Sequence, residues 1–219
     1  MFNLSIILRL RMLRSARWLR VPLLPTTAAD GCSTPSQWLG DEHIQRDYEL
    51  LAQELRGSNP DLATRTRFVD PLIAFQLSHG ADSDALRAFH RLVDDRNGND
   101  IADFLFLPVS DASPTDRGRR GDHCSLLLID RRDRERPVAY HYDSARGFND
   151  RPAHRLAERL GANLQAASMR QQNNGYDCGV FVVDGTRALV GRLAVRRQVD
   201  LNLHNLVVDR RALQNRLRG

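Results

Sequence analysis

The chain contains no lysine: all 32 of its basic residues are arginine, in a sequence of 219 residues with a formal net charge of +5. A GC-rich genome that favours arginine codons is one explanation. Another is that a chain without lysine offers no side-chain amine for ubiquitin attachment, which suits a bacterial protein that works inside a eukaryotic cell. The arginines are spread along the chain without interleaved aromatic residues, so we expect solvated surface and no direct contact with nucleic acid.

Cysteine is scarce as well, and long apolar runs are missing. The three cysteines, Cys32, Cys124 and Cys178, are too few for a disulfide framework and lack the spacing of zinc ligands. They leave room for a reactive thiol in a reducing compartment. No apolar run reaches the roughly 20 residues that span a bilayer, so we expect no transmembrane segment. With 42% hydrophobic and 27% charged residues, the composition is that of an ordinary folded domain.

The first part of the chain, residues 1–34, differs from the rest. Met1–Leu24 combines leucine and isoleucine with arginine and has no acidic residue. It fits an amphipathic basic helix on a membrane surface, a transit-like leader, or a start codon assigned too far upstream. Pro25–Pro35 has the composition of a linker. We therefore expect a basic leader and linker over 1–34, disordered or preceding the true start, and one compact domain over 35–219.

The spacing of apolar residues changes within this domain, from helical to strand-like and back. Helices are predicted at 41–55, 68–77, 85–93, 153–160 and 180–193. Strands are predicted at 104–109, 124–129, 138–142 and 164–169. Strands in the middle of a domain with helices before and after them indicate an α+β fold.

Three polar residues lie at the ends of these predicted elements. His123 precedes one strand, Asp143 follows the next, and Cys178 opens a helix. If the two strands form a hairpin, His123 and Asp143 are neighbours. A carboxylate fixes the tautomer of an imidazole, which then takes the proton of a thiol, and a helix N-terminus favours thiolate. The pattern predicts the ion-paired nucleophile of a papain-like peptidase.

Gln172 adds a candidate oxyanion donor, because it lies six residues before Cys178 on the loop that leads into the same helix. Its side-chain amide and the backbone N–H of Cys178 are expected to donate to a developing oxyanion. Losing one such donor typically costs about 10²–10³ in rate.

Four segments resemble the motifs of the ubiquitin-like-protein (SUMO) proteases, in that family's order. Gln171–Phe181 (QQNNGYDCGVF) resembles the nucleophile motif, and Gly121–Leu127 (GDHCSLL) the histidine strand. Tyr140–Ser144 (YHYDS) resembles the aspartate motif, and Trp38–Ile44 (WLGDEHI) the element that opens the domain. The bacterial branch delivered into plant cells by plant-associated bacteria is the most similar part of the family.

The resemblance implies a papain-like (adenain-type) cysteine protease fold, with a central, mostly antiparallel sheet flanked by helices. It implies a monomeric, cofactor-free enzyme that cleaves after the Gly-Gly tail of SUMO, maturing precursors or releasing SUMO from host conjugates, in the cytoplasm or nucleus of a host cell. His123 is then the general base, Asp143 its orienting residue, Cys178 the nucleophile and Gln172 the oxyanion donor. Neither the residues nor the resemblance calls for a metal ion.

One position departs from the family pattern. A tryptophan usually follows the histidine and, with the tryptophan of the opening element, covers the Gly-Gly tail. Here that position is Cys124, whereas Trp38 is kept. Both are expected to bind substrate, and the substitution puts the choice of modifier in doubt. A nucleophilic Cys124 is not expected, because neighbouring residues of a strand point to opposite faces; a core or lid-filling role suits it better.

Alternative functions remain open at this point. The same fold serves deubiquitinases and proteases for other ubiquitin-like modifiers, so ubiquitin is a second candidate partner. Bacterial effector acetyltransferases use a similar His–acid–Cys order. A non-catalytic modifier-binding module is the alternative from another class, although the complete set of His123, Asp143, Cys178 and Gln172 favours the peptidase.

Overall fold

A computed structural model of the chain describes residues 37–115, 121–195 and 200–219. The predicted leader and linker at 1–34, including Cys32, lie outside the described residues. Among the helices that are described, none combines the length and the apolar character needed to cross a membrane.

The described chain forms seven helices and five strands. In order they are α1 (Asp41–Ser58), α2 (Pro60–Arg65), β1 (Thr66–Phe68), α3 (Pro71–His79), α4 (Asp82–Val93), β2 (Phe104–Ser110), β3 (Cys124–Asp130), β4 (Val138–Tyr142), α5 (Asp150–Arg159), β5 (Asn163–Ala167), α6 (Cys178–Val195) and α7 (Arg210–Arg218).

The five described strands form one sheet in the order β1-β2-β3-β4-β5. The three inner strands are antiparallel, whereas β1 and β5 run parallel to their neighbours at the two edges. Each parallel pairing follows a helical connection, α3 and α4 before β2 and α5 before β5, because a parallel pair needs a long crossover. The predicted α+β, papain-like class is confirmed, with a mixed sheet whose centre alone is antiparallel.

Helices cover both faces of the sheet. One face carries Leu126, Leu128 and Tyr142, which pack in a core with residues of α1, α2, α6 and α7. The other carries Leu105 and Leu127, which pack with residues of α3, α4 and α5. Because strands covered on both faces have no solvent side, β2 and β3 are apolar almost throughout, and this explains why their sequences predicted strands so clearly.

The predicted helix at 68–77 was wrong at its start. Thr66–Phe68 forms the short edge strand β1, which pairs with β2, and α3 begins only at Pro71. The Asp70 side chain caps this helix by accepting from the backbone N–H of Leu72 at 2.7 Å. A three-residue strand is too short to show a period in sequence.

Candidate active site

The antiparallel pairing of β3 and β4 brings His123 and Asp143 together. Leu126 pairs with Tyr142 at the end of the ladder, so the residues before β3 and after β4 lie at the same end of the two strands. His123 Nε2 lies 2.7 Å from Asp143 Oδ1, and both side chains are buried. The two residues are neighbours, as the hairpin argument predicted.

Asp143 is held by the backbone that follows it. Its Oδ1 accepts from the N–H of Ala145 at 2.9 Å, and its Oδ2 from the N–H of Asn149 at 3.0 Å. Burial raises the pKa of Asp143, but the hydrogen bonds from His123, Asn149 and Ala145 outweigh burial and hold the pKa below its usual range. The carboxylate is therefore charged and its orientation is fixed.

Cys178 is the first residue of α6, where backbone N–H groups and the helix dipole favour a negative sulfur. Gly179 allows the start of this helix to approach the segment around Trp38. A Cβ atom at position 179 would lie 2.9 Å from Leu39 Cβ, closer than real contacts allow. Leu39 therefore lies directly against this glycine.

The side chains of Cys178 and His123 interact, and each shifts the pKa of the other toward the charged form. Because Asp143 binds Nε2, the other ring nitrogen, Nδ1, is left for the sulfur. Burial lowers the pKa of His123, but the hydrogen bonds and charges of Asp143 and Cys178 outweigh it and raise the pKa to about 9. The imidazole is therefore protonated at neutral pH.

Cys124 also contacts Cys178. Alternation along β3 puts Cys124 on the face opposite to Ser125, and α6 packs on that face, so the two thiols meet. The hydrogen bond from the Cys124 side chain is the largest cause that lowers the pKa of Cys178. Burial raises this pKa, and the hydrogen bond from His123 lowers it further. Together they lower the pKa of Cys178 to about 5. A thiolate–imidazolium pair results, with the second thiol as an additional donor.

Gln172 is fixed on the loop before α6. Its Oε1 accepts from the hydroxyl of Ser144 at 2.8 Å, and its Nε2 donates to the carbonyl oxygen of Asn174 at 2.8 Å. An amide nitrogen carries two hydrogens, so the bond to Asn174 leaves the second for an acceptor on a substrate. The predicted role as an oxyanion donor stays a prediction.

Trp38 lies against the same loop. Its indole Nε1 donates to the carbonyl oxygen of Gly175 at 2.7 Å, and the residue is 45% exposed. Arg210 holds the surroundings together, since it pairs with Asp177 at 2.7 Å and donates to the carbonyl oxygens of Gln37 and Tyr176. Asp177, the residue before Cys178, is held by this ion pair and by a hydrogen bond from the Asn174 side-chain amide at 2.8 Å.

A second buried network lies on the same face of the sheet as His123. Ser125 Oγ is 2.9 Å from His141 Nε2, and His141 Nδ1 is 3.5 Å from Asp150 Oδ1. Burial lowers the pKa of His141. The order resembles a Ser-His-Asp triad, but Ser125 is only 2% exposed and does not reach a substrate. His141 is itself only 4% exposed, which indicates a packed, structural histidine.

Two residues beside the site were missed by the sequence argument. Asn149 is fully buried, and its side-chain amide donates to the carbonyl oxygen of Val109 at 3.0 Å. The ring of Phe148 meets the imidazole of His123 edge-on, with 5.1 Å between the ring centres. Both residues lie in the irregular segment between β4 and α5, where no periodicity marks a side chain that turns back to the site.

Comparison with known proteins agrees with this geometry. A family model described as the Ulp1 protease family, C-terminal catalytic domain, matches residues 37–212. NEDD8-specific protease 1 of Arabidopsis thaliana is 30% identical over 135 residues, which cover 58% of this chain and 57% of that protein. NEDD8-specific protease 2 of Schizosaccharomyces pombe is 27% identical over 186 residues, which cover 80% of this chain and 42% of that protein. The chain thus spans about half the length of these relatives.

Among solved structures, the Xanthomonas campestris effector protein XopD bound to ubiquitin superposes with a TM-score of 0.70. It is 29% identical to this chain, and the alignment covers 89% of this chain and 98% of that chain. The similarity therefore extends over nearly the whole of that protease structure.

Proposed function

This chain belongs to the Ulp1 protease family, and from that membership we propose that it is a cysteine isopeptidase and endopeptidase that cleaves after the C-terminal Gly-Gly of a ubiquitin-like modifier. The observation that carries the proposal is the juxtaposition of Cys178 with the hydrogen-bonded pair of His123 and Asp143, in which the thiolate and the imidazolium are both favoured at neutral pH. We further propose that residues 35–219 form the catalytic domain, preceded by the leader and linker at 1–34.

In the proposed mechanism the Cys178 thiolate attacks the carbonyl carbon of the last glycine. The negative oxygen of the tetrahedral intermediate accepts hydrogen bonds from the backbone N–H of Cys178 and from Gln172 Nε2. The imidazolium of His123 gives its Nδ1 proton to the departing amine, the C–N bond breaks, and a thioester remains on Cys178. Neutral His123 then takes a proton from water, which hydrolyses the thioester and restores the ion pair.

The proposed modifier is SUMO, as in the family whose motifs the sequence resembles. NEDD8 is a second candidate, because the relatives from Arabidopsis thaliana and Schizosaccharomyces pombe are named NEDD8-specific proteases. Ubiquitin is a third, because XopD was solved with ubiquitin bound. The likeness to that effector and the absence of lysine support a further proposal, that this protein is a bacterial effector acting on host conjugates.

Replacement of the nucleophile tests the chemistry. Cys178→Ala is expected to abolish cleavage of modifier conjugates while circular dichroism and thermal unfolding show an intact fold. The matched control is Cys124→Ala, which removes a thiol from the same site and keeps measurable turnover. Full activity of the Cys178 variant would contradict the assignment of the nucleophile.

A panel of modifiers that end in an electrophile after Gly-Gly tests the substrate class. SUMO, NEDD8 and ubiquitin probes are incubated separately with the wild-type protein and with the Cys178→Ala variant, and covalent adducts are weighed by mass spectrometry. We expect an adduct with SUMO on Cys178 of the wild-type protein only. Exclusive reaction with NEDD8 or ubiquitin would contradict the assignment of SUMO as the modifier. Acetyl-CoA-dependent acetylation without any adduct would overturn the peptidase proposal.

A further inference from the structure

We infer that Phe148 is the contact surface for the leaving group of the proposed reaction, the alkyl side chain of the lysine whose ε-amino group is released. The inference rests on the proposed function and deepens it by assigning a residue that discriminates between leaving groups. It concerns a side chain that none of the four family-like motifs includes.

Phe148 is an exposed aromatic residue in direct contact with the proposed acid–base residue. It is 56% exposed, and its ring centre lies 5.1 Å from that of His123 with an angle of 65° between the ring planes. A phenylalanine that leaves this much apolar surface in water gains free energy when a ligand covers it.

The place of the leaving amine follows from proton transfer. The nitrogen must receive its proton from His123, so it comes within hydrogen-bonding distance of this imidazole as the C–N bond breaks. The methylene groups attached to that nitrogen then extend past the imidazole. The exposed side chain of Phe148 is in ring contact with His123. The phenyl ring therefore offers apolar surface to these methylenes.

The other exposed aromatic residue of the described chain at this site contacts a different part of it. Trp38 is bound to Gly175, on the loop that delivers Cys178, and so lies beside the nucleophile and the acyl group. Phe148 lies beside the base. Because the two aromatic side chains contact different members of the site, we assign Trp38 to the modifier and Phe148 to the lysine.

The segment that carries Phe148 is already fixed before substrate arrives. The backbone N–H of Phe148 donates to the carbonyl oxygen of Ala145 at 3.0 Å, and Asn149 N–H is tied to Asp143 at 3.0 Å. Gly147 has φ +84°, a left-handed conformation that the turn requires and that other residues rarely adopt. Little conformational entropy is lost when a substrate contacts a side chain held in this way.

The test compares two substrates of one modifier that differ only in the leaving group. One is the isopeptide of the modifier with a lysine side chain in a short peptide, and the other is the ethyl ester of the same modifier, which has no lysine chain. For Phe148→Ala we expect kcat/KM on the isopeptide to fall about tenfold, because the lysine methylenes lose their apolar contact, while the ester changes less than about twofold. Phe148→Leu, which keeps apolar surface, should lose less.

Leu86→Ala is the matched control, because Leu86 is 54% exposed on α4 and belongs to none of the contacts of the site; both substrates should be unaffected. Equal losses on isopeptide and ester, with a shifted pH profile, would show that Phe148 only shields or positions His123 and would overturn the inference. A wild-type protein that cleaves neither substrate overturns the proposed function itself, and the inference with it, and the absence of adduct in the probe panel identifies that case.

Discussion

The charge on the Cys178 sulfur depends on two neighbours, His123 and Cys124, for which the sequence predicts different roles. His123 was expected to accept its proton, whereas Cys124 was expected to fill core or lid space. In the structure, the hydrogen bond from Cys124 is the larger cause of the lowered pKa of Cys178, and His123 comes after it. Cys124, which stands where the family pattern has tryptophan, thus interacts directly with the proposed nucleophile.

This arrangement predicts a particular pH dependence. With the pKa of Cys178 near 5 and that of His123 near 9, the ion pair exists between these values, so kcat/KM should rise through about pH 5 and fall above about pH 9. Cys124→Ala removes a donor that stabilises the thiolate. The pKa of Cys178 then rises, and the acid limb should move to higher pH.

The measurement is the rate of alkylation of Cys178 by iodoacetamide between pH 4 and 10, with the modified residue located by mass spectrometry. Cys124→Ser is the matched control, since its hydroxyl keeps a donor and should shift the acid limb less. Superimposable acid limbs for the wild-type protein and Cys124→Ala would mean that the second thiol does not support the thiolate.

At the scale of elements, an ion-pair network joins α1, α6 and α7 behind the nucleophile helix. Asp47 is fully buried on α1 and pairs with Arg187 and with Arg216, each at 2.9 Å. Arg216 also pairs with Asp184 on α6 at 3.0 Å. Because α6 begins at Cys178, this network fixes the helix that carries the proposed nucleophile.

Asp47→Ala should therefore destabilise the fold. It removes the buried partner of two arginines, and breaking a buried pair in this way costs about 3 kcal/mol in the free energy of unfolding. Urea denaturation followed by tryptophan fluorescence measures the loss. Glu54→Ala is the control, because Glu54 pairs with the same Arg187 at 2.8 Å but its side chain is 56% exposed, and exposed pairs contribute less than about 1 kcal/mol. Equal losses in both variants would contradict a structural role specific to Asp47.

Elements with a strong apolar signal could be predicted from sequence, and weakly marked ones could not. The strands β2, β3 and β4 were found because helices cover both of their faces. The edge strand β1 was missed because three residues show no period. The ends of elements were predicted less accurately. The helix α5 begins at Asp150, three residues before the predicted start, and its polar first turn gives no apolar signal.

The site divides in the same way. His123, Asp143 and Cys178 could be proposed from sequence because each lies where a predicted element begins or ends, and a hairpin makes the first two neighbours. The contact between Cys124 and Cys178 could not be predicted, because alternation along a strand shows which residues share a face but not which helix covers that face. The position of Phe148 beside His123 is set by a turn through Gly147, and the local sequence does not predict this turn.

At the scale of the whole described domain, the proposed active site is assembled from both faces of the sheet. Cys178 comes from a helix packed on one face, whereas His123 and Asp143 share a face with Ser125 and His141 and are held by the segment that leads into α5 on the other. The pair therefore forms at the end of β3 and β4, and its geometry depends on the packing on both faces of the sheet.

The absence of lysine is also a property of the whole chain, and its two explanations predict different behaviour. If it protects an effector from ubiquitin attachment in a host, adding lysines should shorten its lifetime there. Exposed arginines at three positions, Arg96, Arg151 and Arg211, are replaced by lysine in the Cys178→Ala background, so that the protein cannot remove a modifier from itself.

In a eukaryotic extract with ATP and ubiquitin, the triple lysine variant should acquire ubiquitin on the new amines and disappear faster than its parent, because a lysine-free chain offers no side-chain amine. The control replaces the same three arginines by glutamine, which removes the charges without adding amines and should leave the lifetime unchanged. Equal lifetimes for all three proteins would leave codon usage as the explanation of the composition, without affecting the chemistry proposed at Cys178.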